Sequence, residues 1–188
     1  MYDIAIVGGG PAGASAALFA AKAGKKVLLL DNDQGLTRRA WVENHYGVEK
    51  ISGSDLVDVG LKQATRFGAE LVKTKVTGIA RKNDGFELTA DGASYEAKYV
   101  ILATGASVEL AQAAGVETKE GTEPRIKTVL KTDADGRTNI PGIWAAGTCA
   151  GVSVHTIITA GDGAKVAINI ISEMNGERYV DHDVLPKS

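Results

Sequence analysis

Cysteine is nearly missing from this 188-residue chain. Cys149 is the single one, which excludes an intrachain disulfide. No run of basic residues exceeds two, the net charge is −2 and the pI is near 5.9, all of which argue against a nucleic-acid partner. No apolar run approaches the length of a membrane-crossing helix. Asp3 stands where a secretory signal would carry basic residues, so no signal peptide is expected. Internal repeats and low-complexity stretches are also absent. Together these absences predict a soluble, cytoplasmic, single-domain protein, and the chain is long enough to bury a core.

What the chain does have is glycine in a telling arrangement. Gly8, Gly10 and Gly13 follow an apolar run, Asp3-Ile4-Ala5-Ile6-Val7, that reads as a buried strand. Behind them, residues 14–23 are alanine-rich and read as a helix, and a second strand, Lys26 to Leu30, ends in Asp31. This is the G-x-G-x-x-G dinucleotide fingerprint in its strand–turn–helix context, with the acidic residue at the end of the second strand. Each position has a physical task. Gly8 permits a tight turn, Gly10 lets the backbone approach a pyrophosphate, and Gly13 allows close helix packing. Pro11 suits a helix start, where free N–H groups and the helix dipole favour an anion. Asp31 suits ribose hydroxyls and would repel a 2′-phosphate. An adenine dinucleotide is the expected ligand.

Elsewhere the pattern predicts a helix over 54–67 capped by Ser52 or Ser54, with apolar positions Leu56, Val57, Val59, Leu61 and Ala64. Strands are expected over 71–80, 86–90 and 94–97, an antiparallel meander punctuated by Asn83-Asp84-Gly85 and Asp91-Gly92. Residues 99–103 read as a separate buried parallel strand. A short helix is expected over 108–114, loop over 118–123, a turn at 133–136, a last strand over 142–146 and a long helix over 155–173. The acidic spacing of that turn hints at a calcium loop, but the further ligands are missing. Two more strand ends carry glycine, at Gly105 and Gly147. In an open parallel sheet such ends border one cleft. The fold class is therefore α/β: a three-layer Rossmann-like domain with a parallel sheet and a small antiparallel meander.

Three segments resemble the FAD-binding segments of thioredoxin reductase: Gly-Gly-Gly-Pro-Ala-Gly at 8–13, Ala103-Thr104-Gly105, and Ile140 to Gly147. Val42-Glu43-Asn44 with Gly47, Ile51-Ser52-Gly53 with Leu56, and residues 63–70 resemble the loop and helix after that family's second strand. Thr159 to Gly163 resembles the start of its C-terminal helix. The likeness covers residues 2–106 and 126–175. It implies FAD as the cofactor, held by Gly8, Gly10, Pro11, Ala12, Gly13, Asp31, Asn44, Thr104, Gly105, Gly147, Thr148 and His155. Members of that family insert an NADPH-binding domain after the Ala-Thr-Gly strand, and the redox Cys-x-x-Cys lies within it. Here residues 107–125 stand in its place as a short replacement, with no second glycine fingerprint, and residues 177–188 form a polar tail. The expected domain is a single FAD-binding unit over 1–188. Thr148 replaces the family's acidic residue after Ala-Ala-Gly.

Candidate chemistry is sparse. Cys149 reads either as a redox thiol lowered by a helix N-terminus or as a small packed residue. His45 and His155 read either as proton donors at the flavin or as structural hydrogen-bonding groups. Arg38 and Arg39 read as phosphate partners or as a solvated loop pair. Asp181-His182-Asp183 looks like a metal cluster, but solvated tail residues are the plainer reading, and no metal is expected. Three functions stay open. One is an FAD-dependent oxidoreductase related to thioredoxin reductase but unable to reduce thioredoxin by itself. Another is the flavin subunit of a split system whose partner supplies NAD(P)H or a dithiol. The third is a non-catalytic FAD- or NAD-binding sensor. Lacking an inserted domain over the flavin, the protein is expected to be a homodimer or to dock a redox partner.

Overall fold

The computed structural model describes residues 1–185. Its centre is a parallel sheet built from β1 (Tyr2–Val7), β2 (Val27–Asp31), β5 (Glu70–Lys73), β8 (Ala93–Leu102) and β11 (Ile143–Ala145), in the spatial order β5-β2-β1-β8-β11. Residues 4–7, 27–30, 100–102 and 143–145 of these strands are apolar and buried because both faces of the sheet are covered there. Ile4, Ile6, Val27, Leu29, Ile101 and Trp144 point to one face, where α1 (Pro11–Lys22), α2 (Gly53–Arg66) and α4 (Thr156–Asn175) lie. Their neighbours Ala5, Val7, Leu28, Leu30, Val100 and Leu102 point to the other face. There they are buried with β6 (Val76–Lys82), β7 (Gly85–Ala90) and the short α3 (Glu109–Ala113). The three expected layers are present.

Alanine lets α1 sit deep between α2 and α4, with Ala12, Ala14, Ala16, Ala17, Ala20 and Ala21 all buried. α2 starts at the expected Ser52 cap, whose Oγ accepts from the Asp55 N–H at 3.1 Å. Of the apolar positions of this helix, Val57, Leu61 and Ala64 face the core, whereas Val59 is 46% exposed. α4 ends at Gly176, which is left-handed at φ 73°.

The strand boundaries differ from expectation in three places. The expected 71–80 strand is two strands, broken at Thr74-Lys75. Asp91 holds the break by accepting from Thr74 Oγ1 at 2.7 Å and from the Lys75 N–H at 2.9 Å, which frees β6 to leave the parallel layer. The two expected strands at 94–97 and 99–103 are one strand, β8. Its first half pairs antiparallel with β7 and its second half parallel with β1, so one strand serves both layers. The segment expected to be loop at 118–123 contains β9 (Thr118–Glu120), paired antiparallel with β10 (Thr128–Leu130). Two-residue strands β3 (Trp41–Val42) and β4 (Ile51–Ser52) also pair within the long loop after β2.

Two acidic clusters are used internally. Asp133 Oδ1 accepts from the N–H groups of Asp135, Gly136 and Arg137, each at 2.9 Å, so that carboxylate closes its own turn rather than a calcium loop. In the tail, Lys22 Nζ lies 2.9 Å from Asp181 and 2.7 Å from Asp183, which clips residues 181–183 to the end of α1. The metal-cluster alternative for this triplet gives way to that clip. Residues 186–188 of the expected tail lie outside the described residues.

Candidate functional site

The parallel strands deliver their glycine-bearing ends to one edge of the sheet. The hydrogen-bond ladder continues past the strands to align them. Gly8 N–H donates to Leu30 C=O at 2.8 Å, Ala103 N–H to Val7 C=O at 2.9 Å, and Ala146 N–H to Leu102 C=O at 2.9 Å. The turns at Gly8–Gly10, Thr104–Gly105 and Gly147–Thr148 therefore stand side by side with Asp31 at the edge. Ligands of open parallel sheets sit outside such strand ends.

Within the first turn the glycines divide by role. Gly8 has φ 105°, and a Cβ there would lie 2.3 Å from Ala103 C=O. A Cβ on Gly13 would lie 1.8 Å from the Gly8 carbonyl oxygen, so Gly13 locks α1 onto the turn. Gly10 is different: a Cβ there meets nothing within 4 Å. The protein itself leaves that space open. The N–H groups of Ala12 and Gly13, in the first turn of α1, have no helical acceptor. The Gly10 N–H has no protein acceptor among the described residues. These donors and the open space at the N-terminus of α1 make a cradle that could hold an anion.

Asp31 closes the cradle on one side. It is 8% exposed, and its Oδ1 accepts from the Gly9 N–H at 2.9 Å. Its Oδ2 has no hydrogen-bond partner among the described residues and is an available acceptor for hydroxyl groups. Gly9 lies within the 8–13 segment, whose spacing gives it no role of its own; its N–H is the donor that fixes Asp31.

The third turn has a matching carboxylate that the sequence reading also missed. Asp162, on α4, is 9% exposed; its Oδ2 accepts from the Gly147 N–H at 2.8 Å and its Oδ1 pairs with Lys165 at 2.7 Å. The available signal was a charged residue set between Gly161 and Gly163 on an otherwise apolar helix face. Thr148 is half-buried, and its N–H has no protein acceptor among the described residues. Thr104 spends its hydroxyl on the Ser107 carbonyl, so only its backbone is offered to the edge.

Asn44 is exposed in the loop after β2, and no side-chain partner holds it among the described residues. Its neighbour His45 reaches α4: His45 Nδ1 and Thr156 Oγ1 are 3.0 Å apart. His155 caps α4 through its backbone, and its ring nitrogen Nδ1 lies 2.8 Å from Ser153 Oγ. Both histidines thus sit at the N-terminus of α4, each held by a hydroxyl.

Cys149 departs from its redox alternative. It is fully buried in a 3-10 turn and does not start α4. Its Sγ donates towards Leu102 C=O at 3.2 Å and Ala146 C=O at 3.4 Å. Burial raises the thiol above its ordinary pKa, the opposite of thiolate activation. Arg38 is occupied by Asp33 and by Asp58 at 3.0 Å, which removes it as a phosphate partner, while Arg39 is exposed.

Fold and strand ends define a Rossmann-like α/β domain. The profile of the pyridine nucleotide-disulphide oxidoreductase family matches residues 2–129, and the chain belongs to that family. Within it, the chain is thioredoxin reductase-like. It is 39% identical over 113 residues to thioredoxin reductase from Aquifex aeolicus, covering 56% of this chain and 34% of that protein. It is 37% identical over 139 residues to thioredoxin reductase from Peptoclostridium litorale, covering 72% of this chain and 44% of that protein. The chain spans between 34% and 44% of these two relatives' length. A thioredoxin reductase structure from Gloeobacter violaceus superposes with a TM-score of 0.81 at 19% identity, covering 98% of this chain and 99% of that one, which establishes the fold. Among the described residues, no helix is long and apolar enough to cross a membrane.

Proposed function

We propose that the chain is a single FAD-binding domain, residues 1–188, working as a cytoplasmic flavin-dependent oxidoreductase whose electron partner comes from outside the domain. The observation that carries this reading is the open cradle at Gly10 beside the free Oδ2 of Asp31. The residues fit the group. The N–H groups of Gly10, Ala12 and Gly13 would hold the pyrophosphate, and Asp31 Oδ2 would accept from the adenosine ribose. The backbones of Thr104, Gly105, Gly147 and Thr148 line the middle of the edge, and Asn44 and His155 lie at the α4 end. FAD, when bound, supplies the electron chemistry. The protein's part would be to orient it and to exclude water, and the N-terminus of α4 would favour negative charge placed near it.

Residues 1–188 have one cysteine and it is buried, so a dithiol for thioredoxin reduction would come from outside this domain. With residues 107–125 read as a short replacement for a nicotinamide domain, those electrons would come from outside this domain as well. Tyr46 is 93% exposed and Ile158 45%, with Val154 and Ile157 also exposed around the α4 N-terminus. This apolar rim supports a homodimer or a docked redox partner at the flavin end.

The test is the absorbance spectrum of the isolated protein, followed by anaerobic NADH or NADPH. A flavin spectrum bleached only when a redox partner is added supports the split reading. Bleaching without a partner makes the domain self-contained. A flavin that no donor reduces favours a sensor, and the lack of any flavin overturns the proposal.

A further inference from the structure

We infer that Asp162 is a positioning residue for the cofactor: from α4 it fixes the third glycine turn in its binding conformation, and Lys165 cancels its charge so that an anionic ligand is not repelled. This rests on the FAD reading above.

Gly147 has φ 79°, and a Cβ there would lie 2.7 Å from Ala12 Cβ, so the position demands glycine. Glycine alone does not hold such a turn, because it populates many backbone states. The Ala150 N–H holds the Gly147 carbonyl at 2.9 Å, and the Asp162 carboxylate holds the Gly147 N–H, accepting at 2.8 Å in a buried setting. The distance between α4 and the turn is set independently. A Cβ on Gly163 would lie 2.0 Å from the Ala12 carbonyl oxygen, so α4 rests directly on the first turn of α1. One helical position pins the third turn and the next one fixes α4 against the cradle helix. The fate of the second oxygen then matters. With Asp31 already at this edge, a second uncompensated buried carboxylate would add to the negative charge facing an anionic ligand. Lys165 Nζ lies 2.7 Å from Oδ1 and neutralises it.

Without Asp162 the apoprotein turn relaxes into other glycine conformations at little cost. FAD must then impose the ordered form on binding, and affinity falls through lost preorganisation. Asp162→Ala is expected to weaken FAD binding by roughly tenfold or more, the scale of an unmet buried hydrogen bond, with the thermal midpoint of the apoprotein little changed. Asp162→Asn keeps an acceptor for Gly147 and is expected to bind within about threefold of the parent. Lys165→Met leaves the charge uncancelled and is expected to weaken binding several-fold, and the Asp162→Asn, Lys165→Met double variant is expected to restore it.

FAD dissociation constants from flavin fluorescence quenching, with apoprotein melting in parallel, decide the matter. Should Asp162→Ala fail to fold, the Asn and Met variants and their combination carry the test. Equal affinity in parent and Ala variant overturns the role of Asp162 while leaving the FAD reading intact. An Asn variant as weak as Ala, or a double variant no better than Lys165→Met, also overturns it. A parent protein that binds no FAD overturns both.

Discussion

Asp31 and Asp162 are buried almost equally, at 8% and 9% exposed, and each accepts a hydrogen bond from a glycine N–H beside the end of a parallel strand. They part at the second oxygen. That of Asp31 has no partner among the described residues, whereas that of Asp162 is held by Lys165. One carboxylate shapes its turn and keeps an acceptor for a ligand; the other shapes its turn and is silenced. Burial and a glycine partner therefore do not separate the two carboxylates; the unspent oxygen of Asp31 does, and it is the ground for proposing Asp31 as the binding one.

The largest expected effects break the first turn. Gly13→Val drives a side chain into the Gly8 carbonyl and is expected to abolish folding, read as loss of the cooperative melt. Gly10→Val fills space that only a ligand needs, so the melt persists while FAD binding is lost. A folded Gly10→Val protein with full flavin content would remove the cradle assignment.

Next comes Asp31→Ala, expected to weaken FAD binding by about 1–3 kcal/mol, the scale of hydrogen bonds to a charged group. Calorimetry checks it. The sharper contrast is Asp31→Asn, which removes the charge that should bind hydroxyls, set against Asp162→Asn, which should be nearly silent. Equal effects from the two Asn variants would erase the distinction drawn above.

A smaller effect is expected from His45→Ala. Losing the bond to Thr156 loosens the loop carrying Asn44 and should speed FAD release by a few-fold, about 0.5–1.5 kcal/mol, measured as a dissociation rate. Thr156→Val should match it and the pair should not add. The smallest effect concerns Cys149. With its thiol raised by burial, it should resist alkylation near neutral pH in the native protein and react only after unfolding, followed by mass spectrometry. Rapid native labelling would reopen its redox role.

Much of this comparison was legible in the sequence, and unevenly so. Gly8, Gly10, Gly13 and Asp31 announce themselves because they lie within one β–α–β unit, where spacing along the chain maps onto distance in space. Asp162 and Gly147 are joined only by the packing of α4 on α1, which no spacing rule reports. Similarly, β8 reads as two strands because its halves serve different layers, one half exposed on alternate residues and the other buried on both faces. The pairing of β9 with β10 has no hydrophobic alternation to reveal it, since Lys119 and Glu120 face solvent and the backbone carries the contact. Cys149 looks like a helix-start thiol in sequence. The chain inserts a 3-10 turn and residues 151–155 before α4 begins, and that places the sulfur in the core.

The central claim is that the open strand edge at Gly10 and Asp31 is a dinucleotide cradle filled by FAD. Its most direct test is titration of the flavin-free protein with FAD, followed by fluorescence and by the visible spectrum of the complex after gel filtration. The account predicts saturable quenching and equimolar flavin that stays with the folded protein, both lost in Gly10→Val. No quenching by the parent, or retention of FAD by a folded Gly10→Val protein, would contradict it.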